Sequence, residues 1–286
     1  MKKITKAIIP VAGYGTRRLP VTKAIEKCML PIGNRPIVDY VVADCIAASI
    51  TDIWFVVGEE STQIREYFGH NKKLEKYLKQ KGKLEMLAEI QPQENVKFHY
   101  VHQSAGGKYG TTIPVALALK KIGTDESVLV VMGDDFFYHA PGDEFSQLRD
   151  LIEVVGENEA AILGYAVATR EEASKYGVIE QDKNGNFVRI VENPAPENAP
   201  SLLINIAKYV FPPKLLKLIE EHADSDFVAE NGEYQILKPI DDFVASGGMV
   251  KVMPARGEYL DGGNLAGWLH ANEVVGRDLL KQEKAK

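Results

Sequence analysis

Glycines and cations occur together in a short segment near the N-terminus, at residues 13–27. Gly13 and Gly15 stand close to Arg17 and Arg18. Glycines let backbone N–H groups turn toward a phosphate without a side chain in the way, and guanidinium groups suit phosphate oxygens. The segment therefore predicts a phosphate site, although a strand-to-helix turn also needs glycine for its geometry alone.

Two lysines follow in the same segment. Lys23 and Lys27 are four residues apart and would share one face of a helix. Together with Arg17 and Arg18 they place four cations within eleven residues of a chain whose formal net charge is -6. A solvated basic surface is the simpler alternative, but the adjoining glycine loop favours a phosphate ligand.

This loop fits neither of two common glycine-rich phosphate motifs. The dinucleotide-binding motif requires glycine where Arg18 stands. The P-loop requires four residues between its glycines, followed by lysine and then serine or threonine, and the sequence has no such run. A phosphate site at this loop would belong to another class.

Carboxylates at two distant points of the chain are candidate ligands for a divalent cation. Asp134 and Asp135 directly follow an apolar run, and Asp261 lies in a second acidic loop. Mg2+ prefers one or two carboxylates together with substrate phosphates. The alternatives are a helix cap or turn at Asp134 and a simple turn at Asp261, so a shared metal site requires the fold to bring both together.

The sequence indicates no protein nucleophile and no zinc or disulfide site. Its two cysteines, Cys28 and Cys45, form no CxxC pair, and the six histidines show no metal-ligand spacing. Cys28 follows Lys27 and is interpreted as a packed thiol. The chemistry that remains is that of cations, carboxylates and backbone amides.

Alternating strands and helices are predicted to position these residues. Buried strands are predicted from apolar runs at residues 6–12, 52–58, 96–103 and 127–132. Helices are predicted at residues 36–46, 60–68, 72–83 and 112–121. Nearly all-apolar strands are typical of a parallel sheet covered on both faces, where ligands bind beyond the carboxyl ends of the strands. The glycine loop and Asp134 each follow a strand, so both are expected at that edge.

The chain after about residue 160 is richer in predicted strands. Strands are predicted at residues 161–167, 203–211 and 250–254, with a hairpin at residues 176–192 that turns at Asn184 and Gly185. Helices are predicted at residues 214–221 and 269–281, and a proline-rich loop at residues 194–200. The sequence contains no internal repeat or low-complexity tract.

Composition argues against several classes of partner. The 286 residues, 45% of them hydrophobic, suit one globular unit with a sizeable core. The acidic net charge argues against general attraction to nucleic acid or an anionic membrane. The apolar run after the N-terminal lysines is too short for a secretion signal and contains Pro10, and no stretch approaches the roughly 20 apolar residues of a membrane span. A cytoplasmic protein is expected, with no nucleic-acid and no membrane partner.

Taken in order, these motifs resemble the sugar-1-phosphate nucleotidyltransferases, most closely the bacterial UTP–glucose-1-phosphate uridylyltransferases. The matching segments are residues 9–17, 19–20, 22–25, 29–31, 36, 39–42, 103, 109–110, 133–135, 176–179, 191–192, 209–210, 232–233, 235 and 261–264. The resemblance covers most of the chain, and its N-terminal part is highly specific. It implies a Rossmann-like, GT-A-like mixed α/β sheet flanked by helices, with an inserted β-rich sugar-binding part.

The resemblance also implies a reaction. The phosphate of glucose 1-phosphate would attack the α-phosphorus of UTP in line, with Mg2+ assistance, giving UDP-glucose and pyrophosphate. Such chemistry needs positioning and charge neutralisation more than a protein nucleophile, in agreement with the residues above. Two alternatives stay open: the same chemistry with another nucleotide, such as dTTP, or another sugar 1-phosphate, and a catalytically weak regulatory or binding homologue. A homodimer or homotetramer is implied only by the resemblance.

Individual roles follow from the resemblance. Arg17, Lys27 and Asp134 would be catalytic, and Asp134 and Asp261 would hold Mg2+. The residues implied at the nucleotide are Ala12, Gly13, Gly15, Thr16, Arg17, Lys27, Gln103, Gly110 and Asp134, with Gln103 and Gly110 at the uracil. The residues implied at the sugar phosphate are Asp135, Gly177, Glu192, Asn193, Asn205 and Lys208. The expected organisation is one domain over residues 1–286, with a nucleotide-binding core at 1–160, a sugar-phosphate part at 161–265 and a C-terminal helix at 266–286.

The sugar side departs from the family pattern at Asn193. The family usually has Glu-Lys-Pro where this chain has residues 192–194, and that lysine is expected to neutralise the sugar phosphate. Loss of such an oriented charge is worth roughly 3 kcal/mol. Lys208 and Arg189 are the candidates to replace it.

Smaller departures lie on both sides of Lys27 and elsewhere. Glu26 stands where the family usually has proline, and Cys28 where it usually has glutamate. Ala207 replaces a common glycine, and residues 104–108 differ as well. The triphosphate side of the predicted site is therefore better supported than the sugar side.

Overall fold

A nine-stranded mixed sheet forms the centre of the computed structural model, which describes residues 3–139, 146–229 and 231–285. The strands are β1 (Lys6–Pro10), β2 (Pro31–Ile32), β3 (Arg35–Pro36), β4 (Asp52–Gly58), β5 (Lys97–Gln103), β6 (Val128–Val131), β7 (Asp135–Tyr138), β8 (Ala160–Ala166), β9 (Gly177–Gln181), β10 (Phe187–Glu192), β11 (Leu203–Phe211), β12 (Val250–Pro254) and β13 (Glu258–Asp261). The helices are α1 (Ile37–Ala47), α2 (Gln63–Phe68), α3 (Lys72–Gln80), α4 (Leu84–Glu89), α5 (Thr112–Ile122), α6 (Gln147–Glu153), α7 (Arg170–Ala173), α8 (Pro213–Asp224), α9 (Leu237–Ala245) and α10 (Leu265–Ala285).

The sheet is parallel in one half and mixed in the other. Strands β6, β1, β4 and β5 lie side by side and run parallel, as the apolar runs predict. Strand β11 pairs antiparallel with β6, β8 and β9, and β12 runs parallel to β8. The predicted hairpin is confirmed as β9 and β10, which pair antiparallel.

Both faces of the sheet are covered, which explains why β1 is apolar from Ala7 onward. Ile8 packs in the cluster formed with α5, α8 and α9. Ile9 packs in the cluster formed with α1, α6 and α10 on the other face. Neighbouring residues of a strand point to opposite faces, and both isoleucines are fully buried.

Several elements differ from the sequence prediction. Helix α2 starts at Gln63, three residues later than expected, and α10 starts at Leu265, four residues earlier than the periodicity indicates. Strands β7 and β13 were not predicted, because each is only four residues long and finds its partner far along the chain. Among the described residues, no helix has both the length and the apolar character that crossing a bilayer demands.

Candidate active site

A cleft lies beyond the carboxyl ends of the parallel strands. It has a volume of about 240 Å3, and its walls come from the residues after β1 and β6, the end of β5, and the loop before α5. Among its lining residues are Ala12, Gly13, Lys27, Gln103, Gly110 and Asp134. The expectation that the glycine loop and Asp134 share one edge of the sheet is therefore confirmed. A second hollow, of about 570 Å3, continues from this cleft past residues 22–27 and 58–63.

The glycine loop packs closely against the segment that contains Thr22 and Lys27. A Cβ added at Gly15 would lie 2.9 Å from Lys27 Cβ and 3.0 Å from Thr22 Cγ2, and the φ of Gly15 is +63°. Thr22 Oγ1 also donates to Gly15 O at 2.9 Å. Gly13 has no atom within 4 Å of the place a Cβ would take. Gly15 thus lets the loop pack onto the Lys27 segment, while Gly13 leaves backbone open toward the cleft.

The four cations of this segment are not equivalent. Residues Thr16–Arg18 form a 3-10 turn, in which Thr16 and Arg17 are exposed. Arg18 points away into the protein: its side chain is 5% exposed, and its guanidinium lies 4.8 Å from the Trp268 ring centroid. Of the two arginines only Arg17 is exposed, because consecutive residues of a tight turn point in different directions.

The two lysines do not share a helix face either. They belong to two separate 3-10 turns, Val21–Lys23 and Lys27–Met29. Lys23 is exposed, whereas the Lys27 ammonium contacts the carboxylate of Asp134. Only Lys27 of the pair is therefore tied to the predicted carboxylates.

Lys27, Asp134 and Asp261 converge at Gly263. A Cβ added to Gly263 would lie 2.8 Å from Asp261 Oδ1, 3.1 Å from Asp134 Oδ2 and 3.3 Å from Lys27 Nζ. Asp261 Oδ1 accepts a hydrogen bond from the Gly263 N–H at 2.7 Å. The fold therefore joins the two acidic loops that the sequence left far apart, and glycine keeps the space between them open.

The electrostatics keep Asp134 ionised. Burial on its own would raise the pKa of this carboxyl, but the ammonium of Lys27, helped by Lys208 and Arg17, brings the pKa below its ordinary value. In the described residues no three His, Cys, Asp or Glu side chains form a metal-binding group. Asp134 and Asp261 are a pair of carboxylates, which is the number Mg2+ prefers when phosphates supply other ligands.

A buried ion pair lies beneath these groups. The ammonium of Lys208, whose residue is 1% exposed, contacts the carboxylate of Asp135, which also accepts a hydrogen bond from Tyr259 Oη at 3.0 Å. Burial raises the pKa of Asp135 to about 6, although Lys208 opposes the shift. Lys208 reaches this position from an irregular part of β11, where Ala207 has a φ of +50°. The positive charge of Lys208 is thus paired with the carboxylate of Asp135.

Two of the predicted sugar-side residues, Gly177 and Glu192, meet at the start of β9. Gly177 pairs with Glu192, and a Cβ at Gly177 would lie 2.7 Å from Glu192 Oε2. Burial raises the pKa of Glu192, and the negative charge of the cleft-lining Glu233 adds to the shift. Asn205 uses its amide within the protein: it donates to Tyr209 Oη at 2.7 Å and accepts from the Ala207 N–H at 3.1 Å.

Asn193 has a backbone conformation that suits its residue type. Its φ is +41°, in the left-handed region that asparagine adopts more readily than most residues. Its side-chain amide lies 3.4 Å from Glu192 Oε1. Neither candidate for the missing cation is free: Lys208 is bound to Asp135, and Arg189 Nε donates to Glu180 at 2.8 Å.

The wall of the cleft that contains Gly110 is built from two backbone segments that hydrogen-bond to each other. Gly110 has a φ of +124°, and a Cβ there would lie 2.5 Å from the backbone of Tyr234. The Tyr234 N–H donates to Tyr109 O at 2.8 Å, and the Thr112 N–H donates to Tyr234 O at 2.9 Å. Glycine is therefore required at position 110 for the two backbones to meet.

Sequence reasoning did not single out three residues that the structure brings to the site. Tyr259 precedes Asp261 by two positions, so the alternation of a strand was an available signal. Gly263 is signalled by the glycine pair that follows Asp261. Tyr176, whose hydroxyl lies 3.4 Å from Asp261 Oδ2, was noted only as part of a motif.

Comparisons with known proteins agree with this geometry. The family model described as nucleotidyl transferase matches residues 6–277. A UTP–glucose-1-phosphate uridylyltransferase of Bacillus subtilis (strain 168) is 35% identical over 246 residues, which is 84% of this chain and 80% of the relative. The UTP-bound UGPase from Acinetobacter baumannii superimposes with a TM-score of 0.84 at 30% identity, covering 96% of this chain and 93% of that one. A UDP-glucose pyrophosphorylase complexed with UDP-glucose gives a TM-score of 0.80 at 27% identity, covering 96% and 99% of the two chains.

The family match spans nearly the whole chain, and the mixed sheet and the cleft at its carboxyl edge lie within it. The glycine loop, Lys27 and the two converging aspartates fall within the matched residues as well. This chain therefore belongs to the nucleotidyl transferase family.

Proposed function

We propose that this protein transfers a uridylyl group from UTP to glucose 1-phosphate, giving UDP-glucose and pyrophosphate. The observation that carries the proposal is the convergence of Lys27, Asp134 and Asp261 at Gly263, beside the glycine loop. The similar structures bound to UTP and to UDP-glucose support this choice of substrate and product.

The nucleotide is proposed to occupy the cleft with its base toward Gln103 and Gly110. Its phosphates then follow the loop made of Ala12, Gly13, Gly15 and Thr16, in which Gly13 leaves the backbone open toward the cleft. Arg17 and Lys27 supply positive charge to the triphosphate. Because Lys27 is held on Asp134, its ammonium is oriented before the substrate arrives, which favours stabilisation of the transition state over mere binding.

Mg2+ is the proposed cofactor, and the residues at Gly263 suit it. Asp134 and Asp261 would hold the ion, and their carboxylates face a space that a single added methyl group would fill. When bound, Mg2+ would neutralise phosphate charge and so favour attack at the α-phosphorus. Asp134 is suited to this role because its pKa is held low.

The sugar phosphate is proposed to bind in the part formed by residues 161–265. The carboxylate of Glu192, with Gly177 beside it and the amide of Asn193 near it, would accept hydrogen bonds from sugar hydroxyls. Asn205 braces this wall through Tyr209. Asp135 and Lys208 form a buried ion pair beneath the site and would support its floor.

The reaction needs no covalent intermediate on the protein. A phosphate oxygen of glucose 1-phosphate forms a bond to the α-phosphorus of UTP, the bond between that phosphorus and the bridging oxygen breaks, and pyrophosphate leaves with the electron pair. Arg17 and Lys27 offset the charge that builds up on the leaving group.

Release of pyrophosphate across a panel of nucleotides and sugar 1-phosphates with Mg2+ tests the proposal. We expect turnover only when a nucleotide and a sugar phosphate are both present, and the highest kcat/KM with UTP and glucose 1-phosphate. Asp134→Asn is expected to lose about a hundredfold or more in kcat, while Asp224→Asn, at an exposed carboxylate on α8, keeps the parent rate. Absence of turnover with every pair, alongside tight UTP binding by calorimetry, would instead identify a binding homologue.

A cytoplasmic location and a homo-oligomeric state are further proposals. They rest on the family resemblance, and fractionation of cells and sedimentation velocity measure them directly. The division of labour between residues 1–160 and 161–265 is likewise a proposal, and it predicts that substitutions in the two parts change the KM of different substrates.

A further inference from the structure

Four hydrogen bonds join the segment just before Lys27 to the segment that opens α2. The Glu26 carboxylate accepts from Ser61 Oγ at 2.7 Å and from the Gln63 N–H at 3.1 Å. In return, the Gln63 side chain accepts from the Glu26 N–H at 3.0 Å and donates to Ala24 O at 2.9 Å. We call this set of contacts among Ala24, Glu26, Ser61 and Gln63 the 26–63 clamp.

The clamp is reciprocal, so it fixes the chain at Glu26 more firmly than a single contact would. Both carboxylate oxygens of Glu26 are used, and so are both polar groups of the Gln63 side chain. Glu26 is half-buried, as are Ser61 and Gln63.

The position of Lys27 depends on such anchors because its segment has no regular helix. Residues 21–29 contain only two short 3-10 turns, and the second turn closes when the Met29 N–H donates to Glu26 O at 2.8 Å. Lys27 follows Glu26 directly in the chain, and its ammonium contacts Asp134 across the cleft. A displacement of Glu26 is therefore passed to the backbone of Lys27 and to the start of its turn.

We infer that Glu26 is a positioning residue for the reaction, acting through the 26–63 clamp to hold Lys27 at the triphosphate. The inference rests on the proposed function for the role of Lys27, whereas the clamp itself is a property of the fold. Glu26 acts by hydrogen bonding to its neighbours, and its negative charge is not the feature that the reaction uses. Misplacement of a positioned group by about 1 Å lowers rates by up to a hundredfold.

Two substitutions at Glu26 separate hydrogen bonding from charge. In Glu26→Gln, the amide oxygen can accept from the Gln63 N–H and the amide NH2 can donate to Ser61 Oγ, so the clamp persists without its charge. In Glu26→Ala, both side-chain contacts are lost. We expect kcat to fall by about tenfold to a hundredfold in Glu26→Ala and to stay within about threefold of the parent in Glu26→Gln, with little change in the KM for glucose 1-phosphate.

A double-mutant cycle tests whether Glu26 works through Gln63. Gln63→Ala removes the other half of the clamp without altering a residue adjacent to Lys27. We expect the loss of kcat in Glu26→Ala plus Gln63→Ala to be clearly smaller than the product of the two single losses, because contacts of one network are not additive.

Glu159→Ala is the matched control. Glu159 also braces a turn by accepting a backbone hydrogen bond, from the Gly156 N–H at 2.8 Å, and its side chain is 14% exposed. It is absent from the walls of the cleft. Glu159→Ala is expected to lower thermal stability while kcat stays at the parent value.

Hydrogen exchange of the peptide spanning residues 24–30 supplies a readout that does not depend on turnover. Glu26→Ala is expected to speed exchange there, and Glu26→Gln is not. An unchanged exchange rate in Glu26→Ala would overturn the inference even if the parent transfers no uridylyl group. If the parent is active, an unchanged kcat in folded Glu26→Ala, or an equal loss in Glu26→Gln, would also overturn it. An inactive parent with faster exchange in Glu26→Ala would instead count against the proposed function alone.

Discussion

Asp135 and Asp261 face each other as paired residues of the antiparallel ribbon formed by β7 and β13. The same ribbon places Gly262 so that its N–H donates to Asp134 O at 3.0 Å. One short strand pair thereby connects the end of β6 to a loop near the C-terminus. The site therefore depends on this ribbon as much as on the glycine loop.

Gly263→Ala is expected to impair the proposed metal site selectively. The added Cβ would lie between Asp261 Oδ1 and Asp134 Oδ2, about 3 Å from each. We expect kcat/KM to fall by about tenfold or more and the Mg2+ concentration for half-maximal rate to rise. Gly276→Ala in α10 is the control, because a Cβ there meets nothing within 4 Å. It should raise helix stability by about 0.5–1 kcal/mol and leave the rate unchanged. An equal Mg2+ requirement in Gly263→Ala and the parent would contradict the placement of the ion.

Lys108→Met is expected to raise the KM for UTP more than it lowers kcat. The Lys108 ammonium donates to Ala223 O at 2.9 Å and Ser225 O at 2.7 Å at the end of α8. It therefore ties the loop that carries Tyr109 and Gly110, both lining the cleft, to the other half of the domain. We expect a rise of about threefold to tenfold in KM, equivalent to the roughly 1 kcal/mol of a typical net hydrogen bond.

Lys214→Met is the control for Lys108→Met. Lys214 makes the same kind of contact at the end of another helix, donating to Ser246 O at 2.9 Å after α9, and it does not line the cleft. Similar losses of stability in the two variants, with a change in KM for Lys108→Met only, are expected. A KM change of equal size in both variants would show that general destabilisation is the cause.

Asn193→Lys is expected to lower the KM for glucose 1-phosphate. The cation that the family usually has at this position is absent, and Lys208 and Arg189 are already paired with Asp135 and Glu180. Lysine adopts a φ of +41° less readily than asparagine does. A loss of stability of about 1 kcal/mol is therefore expected as well. Steady-state kinetics and thermal unfolding measure the two effects. If the KM for the sugar phosphate is unchanged while stability falls, another group already neutralises that phosphate.

His222→Phe is expected to make the protein less sensitive to acid. His222 is buried beside Phe227 and Tyr234, and within the described residues its Nε2 has no hydrogen-bond partner. Burial lowers the pKa of this imidazole below its ordinary 6.5, with the positive charge of Lys238 contributing. Below about pH 6.5 the unfolded chain therefore binds a proton that the native state does not, and protonation favours unfolding.

Urea unfolding at pH 7.5 and at pH 5.5 measures this effect. The parent should lose more free energy of unfolding between the two pH values than His222→Phe does. His70→Gln, at an exposed histidine paired with Glu75, should retain the full loss of the parent. An identical loss in the parent and in His222→Phe would rule out a contribution from this imidazole.

Local patterns determined much of this protein. The nearly all-apolar runs of β1, β4 and β6 indicated a sheet covered on both faces, because each face of those strands is buried. The glycine loop and Asp134 each follow such a strand, so their meeting at one edge could be predicted without knowing any contact. The hairpin of β9 and β10 was predictable as well, since its turn residues are adjacent in the chain.

The tertiary structure alone decided how the charges are shared. Arg17 and Arg18 are adjacent in sequence, yet only Arg17 is exposed, because the guanidinium of Arg18 packs against the ring of Trp268. Lys208, which was expected at the sugar phosphate, forms a buried ion pair with Asp135. These outcomes depend on which distant side chain comes within a few ångströms, and residue type and spacing along the chain carry no such information.

For the same reason, the sequence could not show that the segments containing Asp134 and Asp261 form one site. The sequence by itself indicated that Asp134 follows a buried strand and that Asp261 precedes a pair of glycines. Only the pairing of β7 with β13 decided that the two carboxylates converge with Lys27 at Gly263. Strands of four residues with remote partners have too little local signal to be predicted, because their stability comes from cross-strand contacts that exist only in the folded protein.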